Sequence, residues 1–222
     1  MKKLILLKLG GSLITNKEKP YSENKAVIED LARQIKAALA ARPELALVIG
    51  NGGGSYAHYP TVKYGIKDGI KTKEDLIGFS AVESGASRLN RIIVDALLGQ
   101  GLPAISFDPS SILRSDKGKI VASYLDTLKV ALNWGMVPVV YGDIVFDQTQ
   151  GSAIISTEKQ LAHLAYQLKE NYQIEKIIHN GITAGVLDHQ GKLITKITLR
   201  NWESLRDIFR DTKGYDVTGG ML

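Results

Sequence analysis

The sequence predicts an α/β fold, a three-layer αβα sandwich with a mainly parallel central sheet and small β-hairpin insertions. Three observations lead there. Short apolar runs recur along the chain, as expected of strands buried on both faces. Stretches with apolar residues at helical spacing separate them. Two of the runs end in glycine clusters, and in open α/β sheets ligands sit at the carboxyl ends of strands.

The elements follow in chain order. Residues 4–9 form an apolar run broken only by Lys8 and read as a buried strand. Residues 24–41 carry Ile28, Leu31, Ile35 and Leu39 at helical spacing, and Pro43 ends that helix. Residues 45–50 are the second strand. Residues 72–98 predict a long helix, with Thr72 as N-cap and Gly99 as stop. Residues 103–107 give a third strand, and 111–124 a hairpin turning at Lys117-Gly118. Residues 126–134 are a short helix, 136–141 another buried strand, 157–171 a helix and 174–178 a strand. Residues 186–187 and 192–197 flank Asp188-His189-Gln190-Gly191 as a second hairpin, and 202–210 form a last helix. No repeat, low-complexity stretch or linker interrupts this order, so one domain over residues 1–222 is expected.

Gly10-Gly11-Ser12 follows the first strand, and Gly50-Asn51-Gly52-Gly53-Gly54-Ser55 follows the second. Either cluster alone reads as an ordinary tight turn. Two of them, each preceding a helix or a lid, fit a ligand site better. A glycine turn at a strand end lets backbone N–H groups approach an anion closely. Lys8 and Lys17 beside the first cluster add positive charge that a core avoids. The pattern suggests phosphate handling.

Composition narrows the classes. The chain has 222 residues and no cysteine, which excludes disulfides and thiolate metal sites. No apolar run approaches the roughly 20 residues of a membrane helix. Lys8 and Gly10-Gly11 break the N-terminal apolar stretch too early for a signal peptide, so a cytoplasmic protein is expected, with no membrane partner. The net charge of +5 comes from dispersed basic residues mixed with acids. That balance suits a binder of small anions and gives no support for a nucleic-acid partner. The densest basic stretch, Lys63, Lys67, Lys71 and Lys73, reads either as a solvated surface or as a rim attracting a polyanion.

The loops and their surroundings resemble the amino acid kinase superfamily. The likeness rests on Lys8-Leu9-Gly10-Gly11-Ser12-Leu13-Ile14-Thr15 with Lys17 just after, and on Gly52-Gly53-Gly54-Ser55-Tyr56-Ala57-His58. It continues through Val137-Pro138-Val139-Val140-Tyr141-Gly142-Asp143-Ile144-Val145-Phe146-Asp147, Ile154-Ile155-Ser156 and Asp216-Val217-Thr218-Gly219-Gly220-Met221. Within the superfamily, His58 after the second glycine loop makes the chain most similar to the isopentenyl phosphate kinase family. Three departures stand out. Ser156-Thr157-Glu158 takes the place of Ser-Gly-Asp, residues 179–185 replace a Thr-Asp-Val-Asp-Gly-like loop, and the pattern is short at the C-terminus.

The resemblance implies an ATP-dependent kinase whose acceptor is a phosphate monoester, with isopentenyl phosphate first. A fosfomycin kinase-like enzyme and a non-catalytic ligand-binding member remain open alternatives. It implies Lys8, Lys17 and His58 as catalytic. Gly53, Gly54, Ser55, His58, Asp143 and Ile144 are expected to bind the acceptor. Lys8, Gly10, Gly11, Ser12, Thr157, Glu158, Asp216, Gly219 and Gly220 are expected to bind the nucleotide. Glu158 would organise the lysines, and Asp147 is a weaker candidate. Magnesium would come with ATP, held mainly by nucleotide phosphates, with no protein metal site. For an apolar acceptor tail, Ile77, Val82, Ala86 and Leu89 are candidates on the long helix, which would also supply the surface of a homodimer. His163, His179 and His189 are read as structural or exposed.

Overall fold

The structure, a computed structural model, describes residues 1–188, 190 and 192–205. The chain divides into two compact units, Met1–Asn180 and Gly181–Leu222.

The first unit begins with β1 (Lys2–Leu9), the one-turn helix α1 (Gly11–Ile14) and α2 (Lys25–Ala41). The Asn24 side chain accepts from the Val27 N–H at 3.4 Å and caps α2, as a short polar side chain does at that position. Next come β2 (Ala46–Asn51), α3 (Gly54–Tyr64) and the long α4 (Asp75–Gly99). Then follow β3 (Ala104–Ser106), α5 (Pro109–Ile112), β4 (Leu113–Asp116), β5 (Lys119–Ser123) and α6 (Asp126–Asn133). The unit closes with β6 (Val137–Tyr141), β7 (Asp143–Asp147), β8 (Gly151–Ile155), α7 (Thr157–Leu168) and β9 (Tyr172–Asn180).

Five of these strands pair in the order β3-β6-β2-β1-β9, every neighbouring pair parallel. Apolar residues of α2 and α4, among them Ile28, Ile35, Leu89 and Ile93, pack on one face with Leu9 and Ile49. Leu128, Leu132, Leu161 and Leu164 of α6 and α7 pack on the other with Leu4, Leu6 and Val48. Helix layers thus cover both faces, the three-layer α/β arrangement that the apolar runs predict. A second sheet, β5-β4-β7-β8, is mixed. Its β4–β5 hairpin turns at Lys117 (φ 51°) and Gly118 (φ 71°), where both turn residues take the left-handed backbone of a tight hairpin.

One expectation needs correction, and one element was not expected. The long helix begins at Asp75 rather than Thr72. The Asp75 carboxylate accepts from the N–H groups of Lys71 (2.7 Å) and Thr72 (2.8 Å), which closes a turn ahead of the helix. The β7–β8 hairpin, which carries Asp143, is not legible as a hairpin in the sequence. Its β7 starts one glycine after the buried β6, whereas the sequence reading ends that strand at residue 141 and assigns no element to residues 142–156.

The second unit opens with a bridge between Leu187 and Leu193. The Asp188 side chain closes its turn, accepting from the N–H groups of Gln190 (2.9 Å) and Lys192 (2.8 Å). The short α8 (Trp202–Leu205) follows. His189 and most of the predicted last helix lie outside the described residues.

The glycine loops meet backbone to backbone. A Cβ on Gly11 would sit 2.7 Å from the Gly54 nitrogen, and one on Gly52 would sit 2.6 Å from the Gly11 nitrogen. Neither neighbour can move aside, because both are main chain. Gly52→Ala should therefore lose roughly 1–3 kcal/mol, the cost of forced overpacking. Gly99→Ala, at a position with nothing within 4 Å, should change stability by less than about 0.5 kcal/mol. Urea unfolding of the two variants checks the contrast.

Candidate functional site

β1, β2 and β6 are adjacent parallel strands, so their carboxyl ends lie side by side. The sequence places its glycines at those ends. After β1, Gly10 caps the one-turn α1. After β2, Gly53 and Gly54 open α3, with Gly54 at φ 50°. After β6, Gly142 donates its N–H to the Asn51 carbonyl at 3.0 Å.

Thr15 holds the first two loops together. Its hydroxyl donates to the Gly11 carbonyl at 2.7 Å and accepts the Ser55 N–H at 3.0 Å. Gly52 donates to the Leu9 carbonyl at 2.8 Å. Buried Asn51 stiffens the strand end: its side-chain oxygen accepts from Asn90 of α4 at 3.0 Å, and its carbonyl also accepts the Thr157 hydroxyl at 2.8 Å.

This geometry sorts the expected backbone donors. The Gly10 N–H is spent on the Asn180 carbonyl at 2.8 Å, and the Ser55 N–H on Thr15. Among the described residues the N–H groups of Gly11, Ser12, Gly53 and Gly54, at the starts of α1 and α3, carry no such bond. A helix start presents N–H groups to an anion.

Lys8 stands at the end of β1, and its ammonium pairs with the carboxylate of Glu158 in the first turn of α7. Ser156 caps that helix by accepting from the Lys159 N–H at 3.3 Å, and an acidic residue in the first turn suits the helix dipole. Both partners are largely buried, with side-chain exposures of 17% and 30%. A lysine this sheltered needs a fixed counter-charge, and Glu158 supplies it. His179 of β9 stands in register beside Lys8. Desolvation pulls its pKa below the ordinary histidine value; Glu158 pulls it up and Lys8 pulls it down. The sequence reading left His179 without a role, because its neighbours in space are far away in sequence.

His58 lies one helical turn beyond Gly54 on α3 and is half-buried. Gly85 of α4 allows α3 to pack tightly, since a Cβ there would meet the Tyr56 carbonyl at 2.2 Å. Lys17 is exposed, in a loop tied to α3 where the Ser22 N–H donates to the Ser55 hydroxyl at 3.2 Å. Ile144 packs with Ile66 and Val82, and Ala57, Phe79 and Ile154 join that cluster. Of the tail candidates, Val82 therefore lies in the cluster that Ala57 of α3 joins. Leu89 belongs to the main core, and Ile77 is 63% exposed. Asp216, Gly219 and Gly220 lie outside the described residues.

Asp143 is fully buried at the start of β7. One carboxyl oxygen accepts from the Ile144 N–H at 2.8 Å, and the other has no partner among the described residues. Burial pushes its pKa well above the ordinary value, and the charges of Glu83 and Asp108 push the same way. Asp147 is the opposite case. Burial pushes its pKa up, but the N–H groups of Gly118, Gln150 and Lys117 and the Ser115 hydroxyl outweigh that and hold it well below the carboxylate range. It ties the β4–β5 turn to β7 and is a structural residue.

Glycine loops thus stand at neighbouring strand ends, with a strand lysine paired to a helix-start acid. The profile of the amino acid kinase family matches residues 3–222, and the chain belongs to that family. It is 34% identical over 232 residues to an isopentenyl phosphate kinase of Methanothermobacter thermautotrophicus, covering 99% of this chain and 83% of the relative. It is 35% identical over 225 residues to that of Methanocaldococcus jannaschii, covering 98% and 84%. A solved isopentenyl phosphate kinase structure superposes with a TM-score of 0.74 at 34% identity, over 82% of this chain and 75% of the other.

The buried acid gives a pH signature. The folded state holds a proton on Asp143 that the unfolded chain releases near the ordinary value of 3.8. Folding therefore binds protons above that pH, and Asp143's contribution falls as pH rises from about 4 toward its raised folded value. Asp143→Asn should flatten that fall. Urea unfolding of both proteins at about pH 5 and about pH 8 measures it; equal slopes would remove the assignment.

Proposed function

We propose that this chain transfers the γ-phosphoryl group of ATP to isopentenyl phosphate, giving isopentenyl diphosphate and ADP. The observation that carries the reading is Lys8, fixed by Glu158 beside two glycine loops whose remaining N–H groups start α1 and α3. The likeness to isopentenyl phosphate kinases over nearly the whole chain selects the acceptor. One kinase domain over residues 1–222 belongs to the same reading.

Donor and acceptor are both polyanions, so the task is to screen charge and align them. An oxygen of the acceptor phosphate attacks the γ-phosphorus, and the bond from that phosphorus to the bridging oxygen of ADP breaks. The attacking oxygen is already largely ionised, since the second pKa of a phosphate monoester is roughly 6. A general base is not needed. Gly11 and Ser12 face the nucleotide phosphates; Gly53 and Gly54 face the acceptor phosphate, and His58 donates a hydrogen bond to it. Lys8 and Lys17 offset charge on the transferring group. Ile144 and Val82 offer apolar surface to the isoprenoid tail.

Among the described residues no three or more His, Asp or Glu side chains are arranged to hold a metal ion. Magnesium in this reading is carried by the nucleotide phosphates, where it neutralises charge. Among the described residues no helix is long and apolar enough to cross a membrane, and the reading takes the protein as cytoplasmic. It also takes it as a homodimer. Most of α4's apolar stripe is buried within the unit, so Leu76, Ile77 and Leu98 are what that helix leaves exposed for a partner.

With ATP and magnesium, isopentenyl phosphate should be a better acceptor than uridine monophosphate, acetylglutamate or aspartate. A coupled ADP assay over this panel tests it, and faster turnover of either carboxylate would overturn it. Lys8→Ala should lower kcat by on the order of a hundredfold, with little change in acceptor KM.

His58→Ala should lose most activity while its thermal midpoint stays close to that of the parent. His58→Asn or His58→Gln should recover part of the rate, because an amide donates without the charge. Loss of stability with full specific activity would make His58 a packing residue instead.

A further inference from the structure

Tyr21 has a left-handed backbone, φ 49°. Bulky L side chains rarely adopt that conformation, and where they do the surroundings impose it. The chain from Thr15 to Glu23 shows what imposes it. Thr15 and Glu23 bridge antiparallel, and the Asn16 N–H donates to the Ser22 carbonyl at 2.9 Å. Inside that closure the Glu18 N–H donates to the Asn16 side chain at 2.9 Å. Lys17 lies in this small loop, four residues before Tyr21.

The Tyr21 ring leaves the loop and docks on two helices. It meets Tyr56 edge-on, with ring centroids 5.5 Å apart at 82°, and Tyr59 at 5.6 Å and 71°. Both partners lie on α3, on either side of His58 in sequence. The guanidinium of Arg88 on α4 sits 5.1 Å from the Tyr21 ring centre and 5.8 Å from that of Tyr56. Edge-on rings and a cation over ring faces are specific geometries, each favourable beyond simple burial. The Tyr56 hydroxyl donates to Glu23, at the far side of the loop. Burial, and then this contact with Glu23, raises the pKa of Tyr56 to about 12, so the hydroxyl keeps its proton.

Tyr56 belongs to the core, but Tyr21 is 37% exposed, Tyr59 is 40% exposed and Arg88 is exposed, so the docking of Tyr21 adds little to the core. What it fixes is the position of a loop. We propose that Tyr21 is a positioning residue: its ring, held by Arg88, Tyr56 and Tyr59, latches the loop 16–22 onto α3 and so sets Lys17 at a fixed place relative to His58. The inference rests on the phosphoryl-transfer reading of Lys17 and His58.

The loop supplies its own reporter. Trypsin cuts after lysine, and Lys17 precedes Glu18, whereas Pro20 shields the bond after Lys19. Release of the 1–17 peptide, followed by mass spectrometry, therefore reads the latch without any assay of activity. In Tyr21→Ala and Tyr21→Gly, that cut should become faster and kcat with isopentenyl phosphate should fall by on the order of tenfold or more. The thermal midpoint should stay near that of the parent. Tyr21→Gly removes the backbone strain along with the ring, so a loss shared by both variants belongs to the ring. Tyr21→Phe keeps the ring and should restore both readings. Arg88→Met, which alters the clamp from the other side, should speed the cut and lower kcat in the same direction.

An unchanged cut at Lys17 in Tyr21→Ala and Arg88→Met would overturn the latch. A faster cut with unchanged kcat would overturn its role in positioning Lys17. If the parent protein phosphorylates none of the acceptors, the kinase reading has failed and the positioning role fails with it, while the trypsin result still decides whether the ring holds the loop.

Discussion

Everything at the strand ends depends on the contact of Gly11 with Gly52 and Gly54. The two main-chain segments cannot come this close if Gly11 or Gly52 carries a Cβ. With the contact made, Thr15 can bond to both loops at once, and α1 and α3 start from neighbouring points. Two helix starts beside one another present N–H groups toward the same region, which is what two phosphate-bearing ligands require. A larger residue at Gly11 would push the two loops apart.

Charge is distributed to match. The cation at this end of the sheet, Lys8, is held by a counter-ion from the opposite helix layer, so it is positioned before any ligand arrives. Preorganised charge of this kind acts on the transition state without rearrangement. Asp143 is buried at the start of β7, and burial pushes its pKa well above the ordinary carboxylate value.

Much of the site was legible because it is local. A glycine cluster directly after an apolar run, and a histidine four residues past Gly54, are relations within one short segment. The strands and long helices were legible for the same reason: burial on both faces writes continuous apolar runs, and burial on one face writes helical spacing. The β7–β8 hairpin was not, because Asp143 and Asp147 bound a run of only three apolar residues, too short to declare a strand by itself. Nor were the spent N–H groups of Gly10 and Ser55, whose acceptors are Asn180 and Thr15.

By itself, then, the sequence determined the layered α/β fold, the two loops and the candidate residues beside them, since these follow from periodicity and from what glycine and lysine can do. Only the tertiary structure decided which of those groups remain free to act. Lys8 meets Glu158 across 150 positions of chain, Asn51 meets Asn90 and Thr157, and Tyr21 meets Arg88. The reason is physical: partners brought together by strand order and helix packing share no local pattern, so nothing in either segment alone announces the other.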